Sequence, residues 1–158
     1  MQRKSLISDE CPIARSLERV GEWWSMLIMR DALHGLRRFD EFSRSLGIAP
    51  NMLTRRLNGL VEAGMLERRA YSERPPRYEY VPTAKGEDFR MVLMALVAWG
   101  NRHYAEDGRS VEVVERETGQ LLEPMMATTE GTVVGWERCV VQAGPAASAG
   151  MRERLSRD

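Results

Sequence analysis

The sequence predicts a mainly α fold that carries one β-hairpin and ends in a small β appendage. Three observations predict it. Apolar residues recur at helical spacing through four successive segments between residues 12 and 63. The period then falls to two across MLERRAY and RYEYV, which flank the turn-forming SERPP. A long apolar helix follows, and after Gly108 short alternating runs take over.

The totals bound the reading. A chain of 158 residues can build one domain with a real core and a small appendage. Hydrophobic residues make up 43% and charged residues 29%, the balance of a soluble globular protein. No run of 18 apolar residues exists, and MQRKSLISDECP lacks the apolar centre of a secretory signal. A cytoplasmic protein without a membrane partner is expected. Cys11 and Cys139 are too sparse for a disulfide scaffold or a four-cysteine zinc site, so neither a metal nor a cofactor is expected. Net charge is zero, but residues 1–104 carry a balance of +4 and residues 105–158 one of −4. From Arg37 to Arg77 there are nine arginines, no lysine and five acids. Arginine suits bidentate contact with phosphates and guanine edges.

Each element follows in order. Residues 1–10 are polar and read as a flexible N-terminus. Pro12 suits a helix first turn, and Ile13, Leu17 and Val20 carry that helix to Gly21. GEWWSMLIMRDALHG (21–35) reads as a largely buried second helix through Trp23, Trp24, Leu27, Ile28 and Leu33. Phe39, Phe42 and Leu46 define a short third helix ended by Gly47. The fourth begins at Pro50 behind Ala49 and runs to about Ala63, with Leu53, Leu57, Leu60 and Val61 on one side. Gly59 inside it needs a packing reason. Strands are expected at 65–71 and 77–81, with Pro75 and Pro76 at the turn. Thr83 caps one long final helix, in which Phe89, Val92, Leu93, Leu96, Val97 and Trp99 cover more surface than one contact needs. The winged region therefore spans 11–107. Residues 108–143 read as a small β-rich appendage and 144–158 as a disordered tail.

Four helices, a hairpin and a helix, with the third and fourth helices joined by the tight turn Gly47–Ala49, make a winged helix-turn-helix. The fourth helix then explains its own surface. Asn51, Arg55 and Asn58 lie opposite its apolar side, with Thr54 on the flank. A solvated face would instead pair acids with lysines. Arg reads guanine, Asn reads adenine and Thr touches a thymine methyl, so these four are the candidate base readers of double-stranded DNA. Arg37, Arg38, Arg69, Arg74 and Arg77 are the candidate backbone and wing contacts. Arg68 is expected to pair with Glu67 or another acid, leaving Arg69 for a phosphate.

The chain resembles the HxlR-type family of bacterial winged-helix transcription regulators. CPIARSLERVGEWWSMLIMRDALHGLRRFDEF, LGIAPNMLTRRLNGLVEAGMLERRAY and PPRYEYVPTAKG carry the resemblance over about residues 11–104. It implies a homodimer on a palindromic operator, joined through residues 12–20 and 83–105. It also implies a candidate redox sensor at Cys11, since some members sense oxidants through the cysteine of the Cys-Pro pair; the alternative is a packing residue. Longer members carry a ribbon with metal-binding cysteines, but Thr118, Ala127 and Glu130 stand where those would fall, so the resemblance implies no zinc. The ribbon is expected to be held by Val113, Leu121, Val133, Val134, Trp136 and Val140.

Other functions are weighed against this. His34 and His103 are isolated and no Gly-rich phosphate loop exists, so an enzyme is not expected. A winged-helix protein-interaction module without specific DNA binding is the alternative, opposed by the polar face of Asn51, Arg55 and Asn58. Trp23, Trp24, Met26, Met29, Met91, Met94 and Trp99 read as core, or else as the lining of a pocket for a small apolar effector.

Overall fold

The computed structural model describes residues 5–156. Of the expected flexible N-terminus, residues 1–4 lie outside the described residues, as do 157–158 of the expected disordered tail. The element order is α1 (Pro12–Val20), α2 (Trp23–Leu33), α3 (Phe39–Leu46), α4 (Pro50–Glu62), β1 (Leu66–Glu73), β2 (Pro76–Pro82), α5 (Ala84–Asp88), α6 (Arg90–His103) and, after a single turn of 3₁₀ helix at Trp136–Arg138, α7 (Ala149–Leu155). No helix of the described residues is long and apolar enough to cross a membrane.

Two compact units emerge. The first comprises Ile13–Leu93 with the described residues up to Ile7; the second comprises Ser8–Pro12 and the chain from Met94 onward. The division falls inside α6, not at the expected 107/108 boundary. Within the second unit the reason is local: Met94, Val97, Ala98 and Asn101 of α6 line a water-sized cavity with Val113, Leu121 and Leu122, and the Asn101 amide donates to the Val111 carbonyl at 2.9 Å.

The first unit holds the core. Ile28, Met29 and Ala32 of α2, Phe42 of α3, Ile48 of the turn after it, Leu53, Leu57 and Leu60 of α4, and Leu66 and Tyr80 of the hairpin are buried. The expected burial of α2 was shifted by one face. Trp23 is 61% exposed and stacks on Trp24 with ring centroids 3.9 Å apart, while Met29 and Ala32 take the interior. Trp23 stands at the first position of α2, where its ring lies on the solvent side. Buried Asp31 accepts from the Ser45 hydroxyl at 2.6 Å and the Arg30 Nε at 2.8 Å, which ties α2 to α3.

The turn between α3 and α4 is built from backbone requirements. Gly47 has φ +61°, a left-handed conformation that a glycine adopts without a Cβ penalty. Ile48 is buried beneath the turn, and Ala49 is extended at the N-cap before Pro50. Gly59, expected to need a packing partner, has none: a Cβ there would meet nothing within 4 Å.

The hairpin is longer than expected. Leu66 pairs with Pro82 and Glu73 with Pro76, with a bulge between Ala70 and Ser72. Pro76 fits because the last ladder position needs no N–H. A third short segment joins β2: Tyr80 donates to the Arg37 carbonyl at 2.7 Å and Arg38 bridges Glu79 in antiparallel fashion.

The expected single final helix is divided at Phe89. Three-residue hydrogen bonds from Phe89 to Gly86 and from Val92 to Phe89 tighten the chain there. Thr83 caps α5 as expected, its hydroxyl accepting from the Gly86 N–H at 3.2 Å. Gly86 is buried because its Cα approaches the Met65 carbonyl, so closely that a Cβ would lie 2.2 Å from that oxygen.

The expected β appendage at 108–143 forms antiparallel bridges rather than named strands: Val114–Leu121 and Ala127–Val133. Glu115 organises the first turn, its carboxylate accepting from the N–H groups of Glu117 and Thr118. Only Val113 and Val134 of the expected ribbon core are even half-buried; Leu121, Val133, Trp136 and Val140 are exposed. Without a covered face a two-stranded ribbon gains little from extending its ladder. The expected disorder of the tail is corrected by α7, whose N-cap Ser148 accepts from Met151 N at 3.1 Å. Ser148 also donates through its hydroxyl to Glu10 at 2.6 Å. That bond, together with one from the Ser148 N–H, lowers the Glu10 carboxyl below its ordinary range.

Candidate nucleic-acid interface

The site grows from α4. Its apolar residues Leu53, Leu57 and Leu60 are sunk in the first unit, which leaves Asn51, Thr54, Arg55 and Asn58 exposed on the other side. All four candidate base readers therefore occupy one accessible face. Two are oriented locally. Thr54 donates its hydroxyl to the Pro50 carbonyl at 2.9 Å, so the group left for outward contact is its methyl. The Asn51 side-chain oxygen accepts from Met52 N at 2.8 Å, leaving its amide donors available. Arg55 rests Nη2 against the Met52 sulfur at 3.1 Å and forms no ion pair among the described residues.

The neighbouring Arg56 has a different fate. It lies 3.0 Å from a Glu22 carboxylate oxygen, and that same Glu22 accepts from Trp24 N at 3.0 Å to cap α2. One carboxylate thus fixes α4 against the start of α2. The far end of α4 is held by α5: Lys85 Nζ donates to the Ala63 carbonyl at 2.7 Å, and Thr83 donates to Gly64 at 2.6 Å. The helix is anchored at both sides of its exposed face.

The candidate backbone arginines divide. Arg37 folds its guanidinium onto the end of α2, donating to the Ala32 carbonyl and to Leu36 at 3.1 Å. Its donors cap a helix C-terminus, where a cation is favoured. Arg69 pairs with Glu67 at 2.9 Å, an arrangement that holds the Glu67 carboxyl below its usual range and raises Arg69. The acid partner expected for Arg68 is therefore taken by Arg69. Arg68 lies over the Tyr78 ring at 4.2 Å, and Arg38 lies over Tyr71 at 4.7 Å. Arg74 and Arg77, at and beside the hairpin tip, are exposed without an ion pair among the described residues. Glu41 organises the base of this region. Its carboxylate accepts from the N–H groups of Arg37 and Arg38, each at 2.8 Å, and those bonds hold its pKa below the usual carboxylate value.

Sequence reasoning gave Arg56 no role and did not foresee the Arg38–Tyr71 and Arg68–Tyr78 contacts. Alternation along β1 puts Arg69 on the face of Glu67 and Arg68 on the other, where the cross-strand register sets it opposite Tyr80 and diagonal to Tyr78.

The remaining candidates are placed as follows. Cys11 is half-exposed, and its N–H donates to Asp9 at 2.8 Å just before α1. Cys139 is half-exposed as well, with its thiol 3.5 Å from the Gly135 carbonyl. Among the effector-pocket candidates Met29 is fully buried; Trp24, Met26 and Met94 are half-buried; Trp23, Met91 and Trp99 are exposed. A separate open cleft of about 430 Å³ beside α4 is lined by Leu17, Glu22, Arg55, Arg56 and Gly59 and by none of those candidates. No cluster of metal-ligating side chains occurs among the described residues.

Comparison with known proteins agrees with this geometry. The HxlR-like helix-turn-helix family matches residues 19–108. An HTH-type transcriptional regulator of Mycobacterium tuberculosis, Rv3095, is 36% identical over 118 residues, 74% of this chain and 75% of the relative. The structure of a candidate transcription factor from Pseudomonas aeruginosa, PA1374, is 74% identical, covers 92% of this chain and 100% of its own, and superposes with a TM-score of 0.68. The redox regulator HypR in its reduced form is 30% identical over 61% of this chain and 99% of its own, with a TM-score of 0.56.

Proposed function

This chain belongs to the HxlR-like helix-turn-helix family of transcription regulators, and from that premise we propose that it binds a palindromic DNA operator as a homodimer in the bacterial cytoplasm. The carrying observation is the face of α4, where Asn51, Thr54, Arg55 and Asn58 are exposed together while Leu53, Leu57 and Leu60 fix the helix from behind. Base reading belongs to these four side chains. Phosphate contact belongs to Arg38, Arg74 and Arg77, whereas Arg37 and Arg69 serve the fold. The role is binding rather than catalysis.

Dimerisation is supported by apolar surface on the two helices that the family resemblance points to. On α1, Ile13 is 70% exposed and Leu17 44%; on α6, Met91, Val92, Leu96 and Trp99 are all exposed. Such side chains at helical spacing gain by meeting a second copy around a two-fold axis. The two α4 helices then enter successive major grooves about one turn apart.

Arg55→Ala is the test of base reading. It is expected to cost about 1–3 kcal/mol on the operator and to relax specificity at one position per half-site. Arg74→Ala is expected to weaken all duplexes evenly and to flatten the salt dependence. Equal loss on every sequence for Arg55→Ala would refute its role. A redox input through Cys11 is a second reading, favoured by its half-exposed place before α1 and by the description of HypR as a redox regulator. Treating the operator complex with peroxide tests it: release by the parent protein but not by Cys11→Ser supports the sensor, and equal behaviour removes it.

A further inference from the structure

The wing holds two arginine–tyrosine cation–π contacts that the base-reading face does not explain. Arg38 lies over Tyr71 at 4.7 Å and Arg68 over Tyr78 at 4.2 Å. Neither arginine forms an ion pair among the described residues, although acids stand close by. Glu67 is taken by Arg69 at 2.9 Å, and Glu41 is engaged by two backbone N–H groups. Glu79 faces Arg69 across the ladder. The hairpin thus neutralises one arginine and leaves its neighbour uncompensated.

The rings are not core. Tyr71 is 40% exposed and Tyr78 39%, whereas Tyr80, on the same strand face as Tyr78, is buried. An exposed ring beneath a guanidinium is a platform. A cation–π contact with a ring consumes none of the hydrogen-bond acceptors that the guanidinium's five N–H donors seek, so donors stay available for a phosphate. A surface arginine without such a ring must lose rotamer freedom when it takes a phosphate; one held over a ring has lost part of it already.

We propose that Tyr71 and Tyr78 are positioning residues of a phosphate-binding wing, each holding one guanidinium, Arg38 and Arg68, over its ring with the remaining N–H donors left for the DNA backbone. This rests on the DNA-binding reading above and adds Arg68 and both tyrosines to it. The wing cations available to phosphate are then Arg38, Arg68, Arg74 and Arg77.

The test uses the full chain and a duplex that the parent protein binds. Tyr78→Ala and Tyr71→Ala are each expected to weaken binding about two- to five-fold, the size of an exposed cation–π contact. The loss should be the same on matched and mismatched duplexes, and the slope of log affinity against log salt should fall by up to about 0.9 for each phosphate that is no longer neutralised. Phenylalanine at either position should restore affinity and slope. In an Arg68→Gln background, Tyr78→Ala should cost nothing further, which separates positioning from a general disturbance of the hairpin. Unchanged affinity and slope in the alanine variants, or equal loss in alanine and phenylalanine variants, would overturn the proposal while leaving the DNA reading intact. Failure of the parent protein to bind any duplex would sink both.

Discussion

Gly86→Ala adds one methyl group at the point where α5 presses on the end of the hairpin. The new Cβ would lie 2.2 Å from the Met65 carbonyl oxygen, where side chains essentially never come within 3.0 Å, and 3.3 Å from the Met29 methyl. The far atom is backbone, so it cannot rotate away. α5 must retreat by about 0.8 Å, an overpacking that costs about 1–3 kcal/mol. That retreat also strains the bond from Thr83 N to Met65 at 3.1 Å and from the Thr83 hydroxyl to Gly64 at 2.6 Å, worth about 1 kcal/mol. Better helix propensity returns about 1 kcal/mol. The net loss of about 1–3 kcal/mol lowers Tm by about 3–10 °C in a domain of this size. Gly59→Ala is the matched control, because its Cβ meets nothing within 4 Å; it should stabilise by up to about 1 kcal/mol. Thermal melts by circular dichroism read both variants. A Gly86→Ala protein as stable as the parent, or stabilised like Gly59→Ala, would refute the close-approach argument.

Two further outcomes follow from the same geometry. Leu96, 47% exposed on α6, should bury its outer half against the partner helix in a dimer. Leu96→Glu is expected to weaken association about 30-fold, since about 1 kcal/mol is lost in each copy. Sedimentation equilibrium reads this, and unchanged dimerisation would move the interface off α6. Glu41 has its pKa lowered chiefly by the Arg37 N–H bond and then by that of Arg38. Its contribution is therefore fully present above the unfolded carboxylate pKa and is lost as pH falls through the lower folded value. The stability gap between the parent and Glu41→Gln should narrow as pH drops into that acid range; a gap that is constant with pH would show that the carboxylate charge is not the cause.

Much of the first unit was legible because its boundaries are chemical. Pro50 opens a helix, Gly47 closes one, and Pro75 with Pro76 marks the hairpin turn. The α4 face was legible for a simpler reason: the helical period alone assigns Asn51, Arg55 and Asn58 to the side opposite Leu53 and Leu57. The arginines were harder. Whether Arg37 reaches outward or caps α2 depends on tertiary neighbours that no local pattern encodes, whereas strand alternation alone puts Arg69, not Arg68, on the face of Glu67. Period two between 110 and 143 could not tell a paired strand from a bridged loop. In the tail, small polar composition concealed a helix whose signal was nevertheless present, with Ser148 as N-cap ahead of Met151 and Leu155. Likewise, the unit boundary at Leu93 and Met94 lies in mid-helix, where composition does not change.

The most direct measurement is selection of bound duplexes from a random DNA pool, with the parent protein and Arg55→Ala run side by side. The account predicts that the parent enriches an inverted repeat with half-sites about one helical turn apart. It predicts that Arg55→Ala loses preference at one symmetric pair of positions and keeps the spacing. Absence of any enriched sequence from the folded, reduced protein, or an identical motif from both proteins, would contradict the claim that the exposed face of α4 reads bases.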